Sequence, residues 1–182
     1  MPTILTHAAV LPLAIGAGLG RDVIPGRLLA AGVVAALLPD LDVLAFHVGV
    51  PYGAELGHRG FSHSWFVAAV IALIGAGGRR ALRTRFLTAF LFLFVSTASH
   101  GVLDAVTNGG LGIALFWPWS AERYFAPAPV IEVAPLSVAR FFSARGWAVL
   151  QSELWWVWLP DAVFSATLAV FRVCWVRTGI KT

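Results

Sequence analysis

Histidine and aspartate recur in short polar blocks of an otherwise very apolar chain. Four of the five histidines and three aspartates fall in Thr6-His7, Pro39-Asp40-Leu41-Asp42, His58-Arg59-Gly60-Phe61-Ser62-His63-Ser64 and Ser99-His100-Gly101-Val102-Leu103-Asp104. Only His47 stands outside them. Imidazole with carboxylate is the ligand set of zinc, iron and manganese sites. Each block ends an apolar segment, and ionisable groups at membrane depth are costly enough to mark function. The pattern points to a metal site at one face of a membrane helix bundle.

Spacing assigns work to each block. His100 and Asp104 stand four apart, so on a helix they share one face about 5–6 Å apart at Cβ. They can chelate one ion, or form a His–Asp hydrogen bond that only ties helices together. In an extended Asp40-Leu41-Asp42 both carboxylates point the same way. Two such carboxylates repel unless a cation or proton sits between them. In the third block Ser62 is a candidate N-cap, which places His63 in a first helical turn. Gly60 allows close backbone approach, and Arg59 offers a donor fork suited to phosphate or carboxylate. Thr107 and Asn108 are positioned to orient a ligand. Glu153 is open between ligand, base and solvated acid, Arg123 between substrate and Glu122, and His47 reads as structural.

The elements that must carry these residues are helices. The chain has 182 residues, of which 59% are hydrophobic and 12% charged, with mean hydropathy +0.82. Soluble domains carry about 45–50% apolar and about 25% charged residues, so an integral membrane protein is expected, and eight tryptophans suit its interfaces. Apolar stretches at about 4–20, 27–38, 64–78, 86–106 and 154–176 predict an all-α bundle of about five transmembrane helices in one membrane domain, 1–182. The segment at about 107–153 is expected to be external, with an interfacial or packed helix over 136–150. Cys174, the only cysteine, excludes an intrachain disulfide and a cysteine-based zinc site. No cleaved signal peptide is read at the N-terminus. The net charge of +4 comes from arginines spread between apolar segments, with no basic stripe suited to nucleic acid.

Those arginines predict orientation. Arg21 and Arg27, then Arg79, Arg80, Arg83 and Arg85, then Arg172, Arg177 and Lys181 make nine of thirteen basic residues. With five crossings all three groups fall on one side, which the positive-inside rule makes cytoplasmic. His7, Asp40, Asp42, His58, His63, His100 and Asp104 then meet at the outer face.

The ordered blocks, followed by Thr107 and Gly109, resemble the YdjM-type inner-membrane family, described as membrane-bound metal-dependent hydrolases of bacteria and archaea. The resemblance spans roughly Met1 to Trp119 and implies His7, Asp40, His58, His63, His100 and Asp104 as the polar core. The pattern is also weakly similar to zinc-dependent phospholipase C and P1-type nucleases, although the chain lacks their full histidine set. The expectation is a hydrolase of the inner membrane of a prokaryote that uses a divalent metal, preferably zinc, on a lipid or lipid-linked phosphoester. Its expected ligands are His7, Asp40, His63, His100 and Asp104, and its expected catalytic groups Arg59, His58 and Asp42. A divalent-ion or proton transporter and a metal-stabilised scaffold are the rivals.

Overall fold

A computed structural model describes residues 1–135 and 141–177. Helix α1 (Ile4–Leu19) begins at Thr3, whose hydroxyl accepts from the Thr6 amide. Helix α2 (Gly26–Leu37) starts after Pro25 and passes into a 3-10 helix, Leu38–Val48. Pro39 lies in the first turn of that tighter helix, where its missing N–H costs little. Helix α3 (Trp65–Gly77) is capped by Ser64, which accepts from the Val67 amide. The short α4 (Arg79–Leu82) leads to α5 (Phe86–Ala105). Helix α6 (Ala144–Glu153) runs through a π-helical turn, Leu154–Trp158, into α7 (Leu159–Arg177).

Helix α5 is the centre of the bundle, packed against α1, α2 and α3, while α1 also runs along α7. Ala35, Ala72, Ala76 and Ala89 are buried around Phe92 and Leu93. In lipid, apolar burial gives little drive for association, so close van der Waals packing of small residues has to supply it. Large apolar side chains such as Val34, Ile74, Leu87, Phe171 and Val176 face outward, as a bilayer-embedded surface requires.

Two expectations are corrected here. The expected helices form close to their expected bounds, but five spans are not supported. Among the described residues, three helices are long and apolar enough to cross a membrane: Gly26–Val48, Phe86–Ala105 and Ala144–Val176. Helices α1 and α3 have 16 and 13 residues, or about 24 and 20 Å at 1.5 Å per residue, against a hydrocarbon core of about 30 Å. The sequence reading missed that α2 continues as 3-10 helix beyond Pro39, and that the last span begins ten residues earlier than Leu154. With three crossings the arginine segments no longer fall on one side by alternation. The second correction concerns the site. The His/Asp clusters are buried inside the protein rather than displayed at an outer face.

The chain between α5 and α6 closes over the polar blocks. Thr107 bridges Ile131 and Ile113 bridges Tyr124. The Ala114 amide donates to Arg59 O and the Trp65 amide to Leu115 O. Of the amphipathic run at 136–150, residues 136–140 lie outside the described residues, and α6 begins only at Ala144.

Candidate metal centre

Four side chains from three elements meet around one point. Asp40 comes from the 3-10 helix, His63 from a 3-10 turn (Phe61–His63) just before α3, and His100 and Asp104 from α5. His100 Nε2 lies 3.3 Å from Asp40 Oδ1 and 3.9 Å from Asp104 Oδ2. His63 Nε2 lies 3.3 Å from Asp104 Oδ2 and 3.9 Å from Asp40 Oδ1. One ligand atom from each falls within 4.8 Å of every other. Bonds of about 2.0–2.1 Å to a tetrahedral ion put neighbouring ligand atoms about 3.3–3.4 Å apart. The two 3.3 Å pairs match that edge, and the 3.9 Å pairs are wider than it.

Hydrogen bonding leaves these atoms unused. Asp40 Oδ1 and Oδ2, His63 Nε2, His100 Nε2 and Asp104 Oδ2 are buried without a hydrogen-bond partner. Unpaired buried polar atoms are expensive, so this set fits a divalent cation. The outer nitrogens fix the tautomers that such binding needs. His100 Nδ1 donates to the Ala36 carbonyl at 2.7 Å, which can only accept. His63 Nδ1 lies 3.0 Å from Ser62 Oγ and 3.2 Å from Asp42 Oδ2, and Ser62 itself donates to Asp42. Both Nε2 lone pairs are thereby turned inward, the arrangement that carboxylate or carbonyl partners impose on metal-binding histidines.

His63 also registers the local charge. Burial pulls its pKa down, but hydrogen bonds and charge from Asp104 and Asp42 outweigh that and raise it to about 9. Proton and metal therefore compete for the same Nε2.

A second group, Asp42, His58 and His63, also has metal-ligand spacing. Here hydrogen bonds account for the atoms. Asp42 accepts from His58 Nδ1 at 2.7 Å, from the Arg59 amide at 3.2 Å and from Ser62 Oγ at 2.5 Å. Asp40 and Asp42 thus flank His63 from opposite sides. The expected extended strand with parallel carboxylates is replaced by a 3-10 turn of three residues, in which positions two apart diverge. Ser62 likewise does not cap α3. Ser64 does, so His63 lies in the 3-10 turn immediately before that cap.

Arg59 is 1% exposed and adopts a left-handed backbone, φ 64, unusual for a residue with a side chain. That turn aims its amide at Asp42 and its guanidinium at Asp104 Oδ1 (3.2 Å), Thr107 Oγ1 (3.1 Å) and Gly109 O (2.6 Å). Nε is left without a partner. Gly110 lies against this guanidinium, and a Cβ there would sit 2.4 Å from Nη1. His7 stacks on His100 with centroids 3.7 Å apart, its Nε2 is 3.5 Å from Asp104 Oδ1, and neither ring nitrogen has a hydrogen-bond partner. It adjoins the group of four without belonging to it.

Other residues fall elsewhere. His47 is exposed at the end of the 3-10 helix. Thr107 accepts from Arg59 and donates to Asp104 O, while Asn108 accepts from the Val133 amide. Arg123 donates to the carbonyls of His58, Tyr52 and Ala54, holding the loop before the third block. Glu153 is buried but takes no part in the cluster. It accepts from the Thr3 amide and the hydroxyls of Thr3 and Thr6, and Trp158 Nε1 donates to Thr6. That latch ties the start of α1, and with it His7, to the π turn. Sequence reasoning missed it because its partners are 147 and 150 residues apart. It also missed Gly101, where a Cβ would come 2.6 Å from His63 O.

A helical membrane protein with a buried histidine–aspartate cluster able to coordinate a divalent metal is the class these features define. The chain belongs to the YdjM inner membrane protein family, whose model matches residues 1–178. It is a multi-pass inner-membrane protein. Among characterised sequences it is similar to the inner membrane protein YbcI of Escherichia coli (strain K12), 53% identical over 169 residues that cover 92% of this chain and 97% of that one. No solved structure matches it.

Proposed function

We propose that the chain is a membrane-bound metal-dependent hydrolase acting on a lipid or lipid-linked phosphoester. One observation carries the reading: the buried, unpaired ligand atoms of Asp40, His63, His100 and Asp104 at the spacing of one coordination sphere. These four hold the ion, with zinc preferred for this donor set, and His7, stacked on His100, keeps an imidazole in reserve beside them. A bound ion would supply Lewis acidity to a phosphoryl oxygen and to water. The remaining work belongs to the chain. Asp42 fixes His63 and holds His58 by Nδ1, so His58 moves a proton through its other nitrogen. Arg59 offsets the charge of Asp104 and keeps Nε for an anionic oxygen. The weaker likeness to phospholipase C and P1-type nucleases concerns ligand types and adds no residue.

Two observations favour rivals. Four protein ligands around one point resemble closed structural zinc sites, whereas catalytic sites keep a position for water. Three of the four ligands also lie within long apolar helices, as carriers require. The test incubates reconstituted protein with membrane lipid extracts and follows metal-dependent products by mass spectrometry, beside a divalent-ion flux assay in sealed vesicles. The hydrolase reading expects product that disappears in His100→Ala. Flux without product supports the carrier. Metal retention with neither signal supports the scaffold.

A further inference from the structure

The polar cluster occupies one end of α5. Near the other end, about 21 Å away at 1.5 Å per residue from Phe86 to His100, lies a second built feature. Arg79, Arg80, Arg83 and Arg85 line a hollow of about 630 Å³ together with Asp22 and Thr88. The chain reverses at Arg83, which takes a left-handed backbone, φ 57. The reversal brings arginines from before and after it around the same space. All four are exposed, and among the described residues none makes an ion pair; the arginine pairs are those of Arg59 and Arg145. Asp22 is the single carboxylate in the lining. Four arginines around one hollow concentrate positive charge, and a multi-oxygen anion offsets it with matched donor geometry.

An apolar groove of about 320 Å³ continues from this hollow. It shares Val23 and Thr88 with it and runs between α1, the turn that follows α1, and α5, past Leu19, Leu87, Leu91 and Val95. A free anion would use only the hollow, and a neutral chain only the groove. The joined pair has the shape and polarity of one molecule with an anionic head and an acyl chain. Phe86 and Leu87, exposed beside the arginines, place the junction at the start of a membrane-spanning helix, the level of lipid headgroups.

We propose that this end of the bundle binds an anionic phospholipid, with its phosphate among Arg79, Arg80, Arg83 and Arg85 and one acyl chain along the groove to Leu91. The site is separate from the histidine–aspartate cluster and does not depend on its chemistry. Native mass spectrometry of the full chain in detergent, with equal amounts of dioleoyl phosphatidylglycerol and dioleoyl phosphatidylcholine, tests it. The expected result is retention of phosphatidylglycerol about tenfold over phosphatidylcholine, the gain of one to two arginine contacts at an anionic headgroup. That preference falls as salt rises. Replacing one arginine by Gln lowers the preference by up to about fivefold, and replacing all four abolishes it. Leu91→Trp, which fills the groove, weakens retention of both lipids, whereas Arg145→Gln leaves it unchanged. Equal retention of the two lipids overturns the proposal. So does thermal stabilisation by inorganic phosphate as large as that by phosphatidylglycerol, which would assign the hollow to free phosphate. If the fourfold Gln variant does not fold, the salt dependence of the unmodified chain decides: a preference that is insensitive to salt overturns the proposal.

Discussion

Asp42 offers the sharpest test of how the cluster is organised, because it touches His63 without aiming into the metal position. Its carboxylate receives His58 Nδ1, the Arg59 amide and Ser62 Oγ, and faces His63 Nδ1 at 3.2 Å. Asp42→Asn keeps the shape but replaces one acceptor oxygen with a donor. Turned toward His58, the new NH2 forces that imidazole to give up its Nδ1 proton. His63 then keeps its tautomer but faces a neutral oxygen and becomes a weaker ligand. Turned the other way, the NH2 faces Ser62, the hydroxyl turns to donate to His63, and the proton moves to Nε2, blocking the ligand lone pair. Loss of such a partner typically weakens metal binding by about 10–100-fold. The first orientation should fall near the lower figure and the second near the upper one, or about 1.4–2.7 kcal/mol. Competition against a chelator of known affinity, run with zinc and with manganese, measures it. Thermal unfolding in the same detergent checks that the fold survives. Affinity within twofold of the unmodified protein would refute the orienting role. A loss as complete as in His100→Ala would make Asp42 a ligand itself.

Three further outcomes follow from the same geometry. Asp104→Ala removes a metal ligand and also strands the buried Arg59 guanidinium, so it should cost about 3–5 kcal/mol of stability; equal melting temperatures for Asp104→Ala and the parent would contradict that pairing. In metal-free protein the pKa of His63, raised to about 9 from 6.5, contributes stability that is complete below pH 6.5 and is lost as pH rises through 9; metal affinity should climb over the same interval, and a flat profile in both titrations would exclude His63 as the coupled group. Gly101→Ala places a Cβ 2.6 Å from His63 O, so it should destabilise by about 1–3 kcal/mol and lower metal occupancy together, as metal analysis and unfolding in parallel would register.

The sequence made the helices legible because each apolar run is long and is bounded by glycine, proline or arginine. The number of spans was only partly legible: the first three apolar runs already fall short of about 20 residues, but nothing local shows that a 3-10 helix through Pro39 extends the second while α1 and α3 stay short. The chemistry-bearing residues were visible from type and spacing, and the structure brings Asp40, His63, His100 and Asp104 into one group. Their depth was not visible. Burial depends on the segment after Asp104 folding back, through contacts such as Ala114 to Arg59 and Asn108 to Ile131, and no local pattern announces those. The divergence of Asp40 and Asp42 was hidden for a similar reason. An extended reading and a 3-10 reading assign the same two residues to the same or to opposite sides of His63.

Burial changes what the cluster can be. Displayed at a surface, the same residues could have been satisfied by water. Inside the bundle, Asp104, His63 and His100 have no exposed side-chain surface, and only Asp40, at 12%, opens outward. Asp40 is therefore the ligand nearest the surface, although its oxygens are themselves buried. Its two oxygens are also the least committed, since neither is held by a hydrogen bond, whereas His100 is fixed by Ala36 and Asp104 by Arg59. A carboxylate that can release a metal while the other ligands stay fixed is the simplest way for a four-ligand site to open a position for water. The choice between hydrolase and scaffold thus rests on Asp40. Asp40→Ala should retain the metal more weakly but with water in its coordination sphere, which water-proton relaxation of the manganese-loaded protein would detect. Metal held as tightly as in the parent, with no water gained, would place Asp40 outside the coordination sphere and remove this route to catalysis.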